Sequence, residues 1–101
     1  MIVQGDVFFV RIQNIPGESK KVTRDERGFI IAEGEATGHA HVIHDDIELY
    51  EKDSVLFIKT EKTVEVRHEE HHPVTLDPGI WKVGIVREYD PFLEEIRMVK
   101  D

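Results

Sequence analysis

Six histidines fall in two clusters rather than in a terminal tag: His39, His41 and His44, then His68, His71 and His72. On a strand, residues two apart project from one face about 7 Å apart, so the rings of His39 and His41 can converge on one ion at about 2.0 to 2.1 Å. A metal site needs a third ligand, and the run Arg67-His68-Glu69-Glu70-His71-His72 offers three imidazoles and two carboxylates. Strand parity carried on from Val64 and Val66 turns His68, Glu70 and His72 inward, whereas a bulge before Pro73 presents Glu69 and His71 instead. A lone histidine is most often an exposed polar side chain. A His-Ala-His pair beside glycine, matched by a second His/Glu cluster, fits a divalent ion better: iron, manganese, nickel or zinc, which an imidazole-rich shell does not separate by affinity alone.

With open coordination positions such an ion polarises a substrate or activates water, and Glu70 or Glu69 is the candidate general base. That chemistry admits a small-molecule lyase, isomerase, hydrolase or oxygenase, with Arg67 or Arg87 offsetting the repulsion of an anionic ligand. His68-Glu69-x-x-His72 formally matches the zinc-protease pattern, but that pattern needs a long helix. Here Val64-Glu65-Val66 leads in as a strand and Pro73 follows at once. The chain has no cysteine, which excludes disulfides and thiolate chemistry; it has no phosphate-binding glycine loop, and Ser19 and Ser54 lack a nucleophile's context. The competing reading is a module without turnover: a structural metal site, a charge switch titrating near pH 6.5, or a protein-interaction domain.

The elements that position these residues read as strands. The 101 residues bound the chain to one domain, residues 1–101, and 40% apolar with 34% charged residues suits a globular fold. A net charge of −8 argues against duplex nucleic acid, and the N-terminus has neither a signal peptide nor a spanning segment, so a cytoplasmic protein with no membrane association is expected. Gly5–Ile12, Phe29–Ala32, His39–His44, Ile47–Tyr50, Ser54–Lys59, Val64–His68 and Ile80–Tyr89 carry strand character, and Glu18–Arg27 reads as an exposed loop or a frayed hairpin. Asp90-Pro91 followed by Phe92, Ile96 and Val99 predicts a short C-terminal helix. The expected fold is all-β and mainly antiparallel, a small β-barrel or sandwich. Both side-chain parities are apolar in Val55–Ile58, so a covering layer is expected there, supplied by another sheet, the terminal helix or the partner subunit of a homodimer.

Gly34, His39-x-His41 and Asp45 together resemble the first motif of the cupin barrels, in which two histidines and an acid, usually glutamate, bind metal inside the barrel. The resemblance implies a cupin-like barrel with a fourth ligand after a Pro-x-Gly turn. Here the turn is Asp77-Pro78-Gly79, no histidine follows it, and the second histidine cluster precedes it. The string Thr37-Gly38-His39-Ala40-His41, with Glu69-Glu70-His71, Pro78-Gly79 and Arg87-Glu88-Tyr89-Asp90-Pro91, is also similar to small uncharacterised prokaryotic proteins. That likeness favours His39, His41 and His71 as ligands with Glu70 beside them, and makes His68 and His72 peripheral.

Overall fold

The computed structural model describes residues 1–34 and 38–86. The helix expected after Asp90 and the end of the last expected strand, Arg87–Tyr89, lie outside the described residues. Within them the chain forms ten strands: β1 (Ile2–Gln4), β2 (Val7–Ile12), β3 (Lys20–Val22), β4 (Phe29–Glu33), β5 (Ala40–Ile43), β6 (Glu48–Lys52), β7 (Val55–Thr60), β8 (Val64–Arg67), β9 (Val74–Leu76) and β10 (Gly79–Ile85). They build two antiparallel sheets, ordered β1-β2-β10-β7-β6-β3 and β4-β5-β8-β9. The fold is therefore an all-β sandwich and not a closed barrel.

Alternation along each strand explains why two layers form. Val7, Phe9, Leu49, Ile58, Trp81 and Val83 point inward from the larger sheet. Phe29, Ile31, Ile43, Val64, Val66 and Leu76 answer them from the smaller one. Each inner face alone would leave apolar surface in water; stacked, the faces bury it between them. Trp81 completes the layer without an unpaired donor, because its Nε1–H is given to the carbonyl of Asp77 at 3.0 Å.

Three local expectations need correction. The strand expected from Gly5 to Ile12 begins at Val7, because Gly5 and Asp6 form a two-residue hairpin turn between β1 and β2. Gly5 has φ +61° and Asp6 is not in the left-handed region, the pattern of a type II′ turn. Lys20–Val22, expected as loop or frayed hairpin, is an edge strand on β6: its charged residues are compatible with an exposed edge, and Val22 alone reaches inward. Val74–Leu76, not foreseen as a strand, pairs with β8 through Val64↔Leu76.

The β6–β7 hairpin turns at Asp53-Ser54, both at positive φ (50° and 66°), a type I′ conformation carried by two non-glycine residues. Ser54→Gly is expected to stabilise the protein by about 0.5 to 1 kcal/mol, since glycine adopts that conformation without the Cβ clash. A urea melt with an unchanged or lower midpoint would contradict this.

Candidate functional site

Three segments meet at one end of the sandwich. The β1–β2 turn brings Gln4, Gly5 and Asp6; the start of β5 brings His39 and His41; the connection from β8 to β9 brings His68, Glu69, Glu70 and His71. His68 follows Arg67, which pairs with Val42, so continuing the antiparallel register sets His68 opposite His41. Their ring centroids lie 4.4 Å apart. His71 stands 4.7 Å from His68 and 6.2 Å from His41, stacked on the latter within 9°, and His39 is edge-on to His68 at 5.9 Å.

His41 is the fixed point of the cluster, at 1% exposure. Its Nδ1 lies 2.8 Å from Oε1 of Gln4, and the Gln4 amide has no freedom to flip: its Nε2 donates to the carbonyls of Val66 (2.9 Å) and His72 (3.0 Å). Oε1 is thus an acceptor, Nδ1 of His41 carries the proton, and the lone pair sits on Nε2. Nε2 is 3.9 Å from Oδ1 of Asp6. Burial, reinforced by the neighbouring His68, lowers the pKa of His41 to about 4, with Asp6 opposing the shift. His41 is therefore neutral at physiological pH.

The other members are less constrained. His71 is exposed, and its Nε2 lies only 2.6 Å from where a Cβ on Gly5 would stand, so the glycine serves both the turn and the ring above it. Nδ1 of His68 accepts the backbone N–H of Glu70 at 3.0 Å, which leaves the proton of its neutral ring on Nε2, beside Gly34. Glu69 is spoken for: Oε1 accepts the N–H of Ala40 at 2.9 Å, and that bond holds its carboxyl below the usual range. Glu70 approaches Nδ1 of His39 at 3.5 Å, outside hydrogen-bonding geometry, so this buried ring nitrogen has no hydrogen-bond partner.

Of the residues marked in the sequence, His39, His41, His68 and His71 come together, with Glu69 and Glu70 on the rim. His68 touches all three other rings instead of lying at the periphery. The His72 ring makes none of these contacts; its residue contributes a carbonyl to Gln4. His44 is exposed at the far end of β5. Gln4, Gly5 and Asp6 were not foreseen, although a Gly-x pair between two apolar runs is a hairpin signal that would have found the turn. Among the described residues no three His, Asp or Glu side chains already stand close enough to hold a metal ion.

A groove of about 470 Å³ runs along the outer face of β5, floored by Ala40 and Val42 and walled by Arg27, Arg67, His68 and Glu69. It reaches the cluster from behind through His68. Among the described residues no helix is long and apolar enough to cross a membrane.

No curated protein and no solved structure matches the chain. Residues 3–86, most of the chain and all of the sandwich from β2 to β10, match the domain of unknown function DUF8820. The chain belongs to the DUF8820 family.

Proposed function

We propose that this domain binds one divalent transition-metal ion, with Nε2 of His41 as the anchored ligand and His71 and Asp6 turning in to complete a two-histidine, one-carboxylate set. The observation that carries the reading is the Gln4 clamp. A metal-ligating histidine typically donates its other ring N–H to an oxygen that fixes tautomer and orientation, and Gln4 does this for a ring otherwise lost to solvent. His71 is exposed and the Asp6 side chain is 45% exposed, so the rotations that close the shell displace no core residue. His39 and His68 stand next in line. Iron, manganese, nickel and zinc all suit this donor set, and a facial arrangement leaves positions open for a small-molecule ligand. Glu70, whose carboxylate is exposed on the rim, is then better placed than the pinned Glu69 to move a proton.

Metal analysis of untagged protein, with and without incubation in each of the four ions, tests the reading. About one ion per chain is expected, falling below a tenth in His41→Ala and sharply in a paired His71→Ala, Asp6→Ala variant. Saturation at a hundredfold excess over Kd should raise Tm by about 10 °C. Wild-type protein that takes up none of the four ions and melts unchanged in their presence would sink the proposal.

A further inference from the structure

We propose that the outer face of the six-stranded sheet is a binding platform for single-stranded nucleic acid. The register places Val10, Lys82, Phe57, Tyr50 and Lys21 in one row across five strands, through the pairs Lys82↔Val10, Lys82↔Phe57, Tyr50↔Phe57 and Lys21↔Tyr50. The adjoining row sets Lys59 between Ile80 and Glu48. Lys21, Lys59 and Lys82 are exposed, and none lies within 4.0 Å of a carboxylate among the described residues. The acid on these two rows is Glu48. Its carboxylate accepts the Tyr50 hydroxyl at 2.6 Å and is held below its usual pKa by that bond, with Lys59 and Lys21 adding to the effect. A chain of net charge −8 thus shows a locally cationic face.

Two half-buried aromatic rings, Phe8 and Tyr50, share this face with the cations. Phe8, beside Val10 on the same face, is half-buried and lies over Gly84, where a Cβ would come within 2.1 Å of its ring. The missing Cβ lets the ring lie against the sheet instead of standing away from it. Tyr50 is half-buried between Phe57 and Lys21. Lys82 and Lys21 are three strands apart, roughly 14 Å, with the half-buried Tyr50 ring between them and Phe57, 6% exposed, buried in the same row. Cations that track a phosphate backbone, with rings on which bases stack, are the components of single-strand recognition. A flat face cannot enter a duplex groove.

Fluorescence anisotropy with a labelled 15-nucleotide oligo(dT) and the matching oligo(U) tests this directly. Binding at 50 mM salt is expected to weaken about tenfold at 150 mM, the single-strand slope for three neutralised phosphates. Lys59→Glu with Lys82→Glu should weaken it at least tenfold. Phe8→Ala should weaken it about tenfold through lost stacking, with circular dichroism and Tm reporting that both variants fold. Absence of binding at 50 mM salt overturns the proposal. So does equal binding of a 15-base-pair duplex. Displacement by polyglutamate as effective as by unlabelled oligo(dT), with Phe8→Ala inert, also overturns it and assigns the face to an acidic protein surface.

Discussion

Replacing Gln4 with leucine is expected to destabilise the protein by about 3 kcal/mol or more, since three polar groups lose this partner at roughly 1 to 3 kcal/mol each. The N–H on Nδ1 of His41 and the carbonyls of Val66 and His72 all bond to this one amide, which is 2% exposed and ties the two sheets together. A domain of this size has only about 5 to 10 kcal/mol to lose, so Tm should fall by roughly 15 °C or more. Gln4→Glu separates the roles. It keeps an oxygen for His41 but has no N–H for the two carbonyls, and its carboxylate favours the protonated imidazole. Metal affinity should fall about 10- to 100-fold in Gln4→Leu, as for other residues that orient a ligand. Thermal melts placing Gln4→Leu within 1 kcal/mol of wild type would remove the clamp from the account.

Acid should loosen the metal-free protein well above the pH at which its carboxylates protonate. His41 titrates near 4 in the folded protein against about 6.5 when unfolded. Between those values the unfolded chain holds more protons, so stability rises with pH across the window. The contribution of this ring is complete above about pH 6.5 and is lost as pH falls through 4. The difference corresponds to about 3 kcal/mol. His41→Gln, which keeps an N–H for Gln4 but cannot ionise, should flatten the slope. Urea melts at pH 7, 5.5 and 4 in the presence of chelator measure it; equal slopes in the two proteins would place the proton uptake on other groups.

Single residues explain what was legible in the sequence. Val64-Glu65-Val66 alternates with a period of two, and the strand it marks places Val64 and Val66 in the core. The two histidine clusters were visible as composition, and their convergence was a fair expectation because each adjoins a strand. The ordering within them was not legible. His68 continues the inward parity of β8, but the chain bends after it and brings His71 to the cluster as well, leaving the His72 ring outside; no local propensity records that bend. Lys20–Val22 was legible only as a loop or a frayed hairpin because an edge strand needs few apolar residues of its own and is held by the ladder of its neighbour.

The sequence by itself determined the antiparallel all-β class, the inward residues of most strands and the residue types at the site, because side-chain alternation and turn chemistry are properties of short segments. The tertiary structure alone decided that Gln4 and Asp6 reach His41, 37 residues away in the case of Gln4, and that Lys21, Lys59 and Lys82 share a face inside an acidic chain. Both outcomes depend on cross-strand register, which pairs residues remote in sequence. Register is set by the packing of whole sheets, so no local stretch of the chain encodes it.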